Sequence, residues 1–512
     1  MFGDNSQPFE HDVRPLVRAI GKSPEQWQRA DLLDYCLKNG IQIVNFRYTA
    51  LDGKLKELRL PVNSFKYLEK ILTAGERVDG SSLFPGLFPT TESDLYVLPV
   101  YRWAFINPWA PDELEIVCRY ANREGKPAPT PDNVLANACQ SFREVAKAEL
   151  HALAELEFYV ITNHEDERFS GRPQRNYHQS SPYLHSRPIV DEITRVVSQV
   201  TGNVKYCHSE VGYIDRIESS EKEIDGRRVE QYELEFDLMP MEDLGCWLTV
   251  ARWLVREIAN RHGASVTYLP KLDEGMAGSG MHLHLAIMRD GVNVMQEAPG
   301  ELSEDALKLI GGILENAPSL TAFGSTVAAS YLRLVPGQEA PTKICWGYQN
   351  RASLVRVPLS FACKERLDTV VNPNESGDYP QNLARPTVEY RSPDGSAFPQ
   401  LLLAAVTQCA AAGLASKDSL ELAKKLAVPR GTAGDLSHFE QLPATAVAAG
   451  RQLERSRTFY EEHGLEPRLI DLVITKLEDE EDLGLSEKLK RLPAAERLAA
   501  SRKLMHKDLH KH

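Results

Sequence analysis

Charged side chains recur two apart, with apolar residues between and around them, in four stretches: Glu155-Leu156-Glu157, Tyr232-Glu233-Leu234-Glu235-Phe236, His282-Leu283-His284 and Val388-Glu389-Tyr390-Arg391. In a β-strand, residues i and i+2 share a face, so each stretch predicts a strand with a polar pair on one side. A different pattern opens the chain. Ser23-Pro24-Glu25-Gln26 predicts a helix start, with Ser as N-cap and Pro at the first helical position, and Asn39-Gly40 predicts its end. IQIVNFRYT and LKELRLP flank Asp52-Gly53, a dipeptide of tight hairpin turns, and residues up to 110 read as a small α+β unit. A linker-like GKPAPTPDN from Gly125 precedes an amphipathic helix over Val134–Ala148. Strands and helices then alternate to residue 410, and the remainder reads mostly as helix. The terminal run His506–His512 reads as a solvated tail, and no internal repeat or low-complexity segment appears.

Composition changes this picture by exclusion. With 42% hydrophobic and 26% charged residues, the 512-residue chain is an ordinary globular protein, large enough for a small and a large domain. A net charge of −13 argues against a nucleic-acid binder. Its 8 cysteines are scattered without a CxxC, as expected for reduced thiols in the cytoplasm. The N-terminus lacks a basic, then apolar, secretory pattern, and the most apolar run, Leu401–Ala415, is too short to span a bilayer.

Taken singly, each paired-charge strand is equally a charged face turned to water. Together they place carboxylates, imidazoles and a guanidinium on separate strands among Gly-rich turns such as Met276-Ala277-Gly278-Ser279-Gly280. Converging carboxylates are costly unless cations neutralise them, and a carboxylate-rich set with few nitrogens suits Mg²⁺ or Mn²⁺ better than zinc or copper. Arg333, Arg351, Arg356 and Arg391 add forks that match carboxylate and phosphate oxygens, although each alone is equally a surface arginine. Metal, arginines and a Gly-rich turn suggest phosphoryl transfer from a nucleotide, while the absence of GxxxxGK[ST] and GxGxxG argues against P-loop and Rossmann sites.

At these residues the chain resembles the glutamine synthetase family. Asp79-Gly80-Ser81-Ser82 with Glu92-Ser93-Asp94, Glu155-Leu156-Glu157-Phe158, Gly278-Ser279-Gly280-Met281-His282-Leu283-His284, the Ser330–Pro341 loop, Asn350-Arg351 through Pro358, and Val388–Asp394 are similar to its motifs and follow its order. The resemblance implies an α+β protein: a small β-grasp N-terminal domain (26–125, after a tail over 1–25) and a large catalytic domain (126–480) built on a curved antiparallel sheet flanked by helices, leaving a helical extension over 481–512. It implies one metal site from Glu157, Glu210 and Glu233 and another from Glu155, His282 and Glu389, so two or more Mg²⁺ or Mn²⁺ ions. Arg333 and Arg391 would hold substrate carboxylates, Gly278 would offer backbone to the amino acid, and His284 and Arg356 would lie by the nucleotide. Arg351 and Arg356 would stabilise the transferring phosphoryl group, and Glu339 would sit on a closing flap. The implied reaction is ligation of glutamate to an amine, ammonia by default, with ATP as co-substrate and γ-glutamyl phosphate as intermediate. Active sites would lie between subunits of a homo-oligomeric ring, usually a dodecamer, in the cytoplasm, with no nucleic acid or membrane partner.

This chain departs from the family pattern in several places. The stretch between Glu210 and Glu233 is enlarged by residues within 213–229, where Glu218, Glu221 and Glu223 compete as ligands with the alternative of a solvated charged loop. The Asp that serves ammonium in the family follows an aromatic-Thr pair, but Tyr48-Thr49 is followed here by Ala50, with Asp52 further on. Thr387 and Ala286 replace an Arg and a Ser near the nucleotide, and Gln400 breaks the usual NPYL. No adenylylatable Asn-Leu-Tyr occurs near Lys424–Ala427. Ala50 raises the alternative of a γ-glutamylamide ligase for a larger amine; a catalytically silent structural relative is the third.

Overall fold

A computed structural model describes residues 9–164, 169, 171–335, 340–360, 366–378, 385–431 and 436–512. The N-terminal unit is a five-stranded sheet in the spatial order Leu55–Pro61, Ile43–Thr49, Glu113–Ala121, Asp94–Ile106, Glu76–Asp79. Ile43–Thr49 runs parallel to Glu113–Ala121, and the other neighbours pair antiparallel. The hairpin at Asp52-Gly53 forms, but with a wider loop than a two-residue turn, since pairing closes at Thr49 and Leu55. Asp52 explains the width: its carboxylate accepts from Lys54 N at 3.1 Å and from Lys56 Nζ at 2.6 Å. The helix predicted from Ser23 is only a 3₁₀ turn, Pro24–Gln26; extended backbone at Trp27 buries its indole, and the helix proper is Arg29–Asn39, capped by Gln28 N donating to Asp31 Oδ2 at 2.8 Å.

The larger unit is a curved sheet in the order Lys343–Tyr348, Ser353–Val357, Val388–Tyr390, Met281–Arg289, Glu149–Thr162, Arg228–Phe236, Val204–Ile214. Its neighbours are antiparallel except for the first pair. Helices Pro131–Ala146, Met241–Arg261, Glu304–Gly324 and Pro399–Ala415 supply the main core, in which Leu156, Leu234, Leu283 and Tyr390 are the inward partners of the polar pairs. Pro399–Ala415 crosses Glu304–Gly324 at glycines: a Cβ on Gly312 would stand 2.2 Å from Cys409 O, so only hydrogen permits this approach. Among the described residues no single helix is long and apolar enough to cross a membrane, although the bent pair Pro399–Ala415 and Asp418–Lys425 passes by composition; the first of these is buried in the core.

The two units meet through Met241–Arg261. Trp103 Nε1 donates to Asp243 Oδ1 at 2.7 Å, Arg119 Nη2 donates to Glu242 Oε2 at 2.6 Å, and the Arg47 guanidinium lies 4.4 Å from the Trp253 ring centre.

The C-terminus corrects one expectation. His506–His512 is not a solvated tail: Met505, His506, Leu509 and His512 are buried, Thr267 Oγ1 donates to Leu509 O at 2.9 Å, and Lys507 and Lys511 pair with Glu480 at 2.7 and 3.1 Å. The charges of this run are matched by partners on the larger unit, which lets a polar sequence pack down.

Candidate active site

The polar face of the curved sheet lines a cavity of about 820 Å³. Strand register brings its residues together in three rows across the strands. In one, Arg356, Glu389 and His284 are successive partners; in the next, His282, Glu155 and Glu235; in the third, Glu157, Glu233 and His208. Two-residue steps separate the rows, so all nine side chains belong to one face.

Contacts follow the register. His282 Nδ1 donates to Glu155 Oε2 at 2.7 Å, and His284 Nε2 donates to Glu155 Oε1 at 2.9 Å. Glu389 Oε2 accepts from Arg356 Nη1 at 2.7 Å and its Oε1 from Arg391 Nε at 3.0 Å. Arg391 Nη1 also donates to Arg351 O at 2.5 Å, joining the turn that carries Arg351 to the same wall. Arg333 leaves the helix Ala328–Arg333, donates to Ser392 O at 2.9 Å and lies 3.3 Å from His282 Nε2. On the other side, Gln231 Nε2 donates to Glu157 Oε2 at 2.9 Å and to Gly278 O at 3.0 Å, while His208 Nε2 stands 3.2 Å from Glu233 Oε1. A Cβ on Gly280 would lie 2.7 Å from both Arg333 Nη2 and His282 Nε2, so a larger residue there would displace these side-chain ends.

Among the described residues, three donor groups have atoms within 4.8 Å of one another: Glu155, His282 and Glu389; His208, Glu210 and Glu233; and Glu155, Glu233 and Glu235. The first is the triad expected as one metal site. Glu210 and Glu233 also meet, but with His208 as third member, while Glu157 stands beside Glu233 as its cross-strand partner, held by Gln231. Electrostatics single out the same groups. Burial raises Glu233 well above the carboxylate range, reinforced by Glu155, Glu157 and Glu210, and burial with the charge of Glu210 pushes Glu157 up to about 8. Burial works against ionised Glu155 too, but His284 and His282 outweigh it and hold its pKa well below normal. A face of buried carboxylates repelling one another, with imidazoles between, fits divalent cations.

Arg333, Arg351, Arg356, Arg391, Gly278 and His284 all line the cavity; Glu339 lies outside the described residues. Glu218 and Glu223 do not reach it: Glu218 pairs with Arg502, and Glu223 accepts from Ser265 Oγ at 2.7 Å and His510 Nε2 at 2.6 Å. Glu235 was read as half of a polar pair but given no ligand role, and His208 and Gln231 were not singled out from the sequence, although His208 stands two before Glu210. Tyr177, His178 and Tyr206 complete the wall, with the His178 and His208 rings 4.1 Å apart between centres.

Carboxylates, imidazoles and guanidinium forks in one concavity define an enzyme that handles anionic substrates with the help of divalent cations. Comparison with known proteins narrows the class. The glutamine synthetase catalytic-domain profile matches residues 129–482, and the glutamine synthetase beta-grasp-domain profile matches 40–123. The glutamine synthetase of Pyrococcus horikoshii is 30% identical over 379 residues, 74% of this chain and 75% of that protein, and that of Thermus thermophilus is 27% identical over 400 residues, 76% and 81% of the two. Among solved structures, a Plasmodium falciparum glutamine synthetase superposes with a TM-score of 0.69 at 18% identity, covering 92% of this chain and 98% of that one. An apo form of a protein called GmaS superposes with 0.67 at 20% identity, covering 91% and 98%; both show the shared fold. The chain belongs to the glutamine synthetase family. It is therefore a ligase, of a family that uses ATP and divalent metal ions to join an amine to glutamate.

Proposed function

We propose that this enzyme uses ATP to activate the γ-carboxylate of glutamate as γ-glutamyl phosphate and transfers the acyl group to ammonia, giving glutamine. The observation that carries the reading is the register that sets Glu155, His282 and Glu389 beside Arg333, Arg356 and Arg391. One cation would be held by Glu155, His282 and Glu389, and another by Glu210 and Glu233 with Glu157 and His208. Magnesium or manganese there would neutralise phosphate oxygens. Arg333, beside Gly278 and Gly280, is placed to fork a substrate carboxylate, with Arg391 as its counterpart across the triad. Arg356 and Arg351 face the position of a transferring phosphoryl group, and His284 with Thr387 marks the nucleotide side. Glu339 would close over the cavity, exclude water and take a proton from the amine. This division of labour belongs to a catalytic domain over 126–480 next to a β-grasp domain over 26–125. We place it in a homo-oligomeric ring, a dodecamer by family habit, where a neighbour's hairpin around Tyr48–Gly53 completes the amine site. Free cysteines, mostly buried, agree with a reducing compartment such as the cytoplasm.

A second reading is favoured by one observation. Ala50 stands where an ammonium-binding Asp is expected, and Asp52 is already paired with Lys56. If the ring brings a neighbour's hairpin to the aromatic and imidazole wall, an alanine in place of the acid would suit a larger amine. The test is phosphate release from ATP with glutamate, Mg²⁺ or Mn²⁺, and either ammonium or a panel of primary amines. Saturable release with ammonium supports glutamine synthesis, and release only with a larger amine replaces it with γ-glutamylamide synthesis. No glutamate-dependent release with any amine refutes both. Ala50→Asp is expected to lower the KM for ammonium; an unchanged value refutes the role given to that position.

A further inference from the structure

Two departures of this chain from its family pattern meet in space. The enlarged stretch within 213–229 packs against the C-terminal extension, and both close on the segment that leads into Gly278–Gly280. Ile217 and Ile224 of the insertion form one buried cluster with Leu509 of the C-terminus, with Leu269 and Leu272 of the segment, and with Tyr159 of the central strand. Polar bonds fix the same contact. His506 Nδ1 lies 2.8 Å from Ser219 Oγ, and its Nε2 lies 2.8 Å from Leu272 O. Arg502 forks Asp273, Nε to Oδ1 at 3.1 Å and Nη2 to Oδ2 at 2.9 Å, and also reaches Glu218. Ser501 Oγ and Arg497 Nε donate to Glu274 at 2.7 and 3.3 Å.

That segment is a closed loop whose far end faces the cavity. Ser279 N donates to Pro270 O at 3.0 Å, Lys271 Nζ donates to Met276 O, and Tyr159 OH donates to Ala277 O at 3.1 Å. Gly278 then packs on Pro270 O and the Arg333 side chain so closely that a Cβ would stand 2.6 and 2.7 Å from them. The extension braces Arg333 from behind as well. Met505 is buried against Val327 and Ala329, at the start of the helix that ends at Arg333, and Glu480 Oε2, paired with Lys507, accepts from Ala328 N at 2.9 Å.

We propose that the C-terminal helix Ala494–His506 is a positioning element for the amino-acid end of the active site, and that the insertion serves as the seat that holds this helix in place. Arg502 and His506 act through the 271–280 loop and touch no substrate; their effect is to hold Gly278, Gly280 and Arg333 at the separation a substrate carboxylate requires. The proposal rests on the reading of this cavity as a glutamate site.

Arg502→Gln, Arg502→Lys and the pair Ser219→Ala with His506→Asn test it in the full-length enzyme. For Arg502→Gln the expected result is a KM for glutamate raised about tenfold, with kcat and the KM for ATP within about twofold of wild type. Arg502→Lys, which keeps the charge but not the fork, is expected to fall between. Amide hydrogen exchange over 271–283, measured without substrates, is expected to quicken in Arg502→Gln and in the Ser219/His506 variant while the strands keep their protection. Unchanged glutamate KM and unchanged exchange in both overturn the proposal. So does an equal rise in the KM for glutamate and ATP with a lowered melting temperature, which marks loss of general stability. If wild type shows no glutamate-dependent turnover, the reading of the site falls, and the exchange arm still decides whether the helix holds the loop.

Discussion

Cation binding by the active-site face should release protons, and the amount follows from the carboxylates. Glu157, with a pKa pushed up to about 8 by burial and Glu210, carries about 0.9 proton at pH 7. Glu233 is shifted in the same direction, by burial and by Glu155, Glu157, Glu210 and Glu235. A divalent ion among these donors requires both ionised, whereas burial lowers the pKa of His282 and so favours the neutral imidazole that a cation needs. Mn²⁺ affinity should therefore rise about tenfold per pH unit per released proton below pH 8, or about 1.4 kcal/mol per unit. The sign for the cation-free fold is the reverse. A carboxyl whose folded pKa exceeds its unfolded value stabilises the fold fully below the unfolded value, and this contribution is lost as pH rises through about 8. Titration calorimetry with Mn²⁺ in buffers of different ionisation enthalpy measures the released protons directly. Glu157→Gln should cut the release at pH 7 by about 0.9 proton. Wild-type binding that releases no protons, or a Glu157→Gln variant with undiminished release, refutes the account of these carboxylates.

Glu389→Ala removes a donor from the Glu155–His282 pair and leaves Arg356 and Arg391 without their shared carboxylate, so glutamate-dependent phosphate release should disappear while the fold persists; turnover near wild type would refute the assignment. Arg47→Met strips the fully buried Glu115 carboxylate of the guanidinium 2.6 Å away and should cost about 3–5 kcal/mol in urea unfolding, against less than about 1 kcal/mol for the exposed Arg77–Asp94 pair.

The strands of the site were legible because they are local signals, whereas the fold class followed from the resemblance of whole motifs to a family. Glu155 and Glu157, or His282 and His284, declare one polar face by spacing alone, and Leu156 and Leu283 declare the buried one. The hairpin at Asp52-Gly53 is equally local, and so is the stop at Asn39-Gly40. What spacing does not carry is which strand lies beside which. That His284 partners Glu389 while His282 partners Glu155 depends on pairings more than a hundred residues apart in sequence, and a one-residue slip in either would turn a donor to the wrong face. His208 was missed, and Glu235 was left without a role, for this reason. Each stands two residues from an expected ligand, but only the register of Val204–Ile214 on Arg228–Phe236 brings His208 to Glu233.

The terminal run was misread for a different reason, and the apolar contacts of the insertion were not foreseen, although its Glu218, Glu221 and Glu223 are exposed as a solvated charged loop requires. Both segments are rich in charge, so composition alone points to solvent. Each nevertheless carries a sparse apolar signal, Ile217 and Ile224 in one and Met505 and Leu509 in the other, too thin to define an element separately. Paired, they become a satellite core over Leu269 and Leu272, and the cations of the extension fall opposite Asp273, Glu274 and Glu480. A polar segment of this kind is stable only against its particular partner, because each buried charge must find its counterpart there. The insertion and the extension are therefore conditional on each other: either alone would leave Ile224 or Leu509 in water and His506 without Ser219. Their joint position is behind the loop of Gly278 and the helix of Arg333, two elements of the cavity wall.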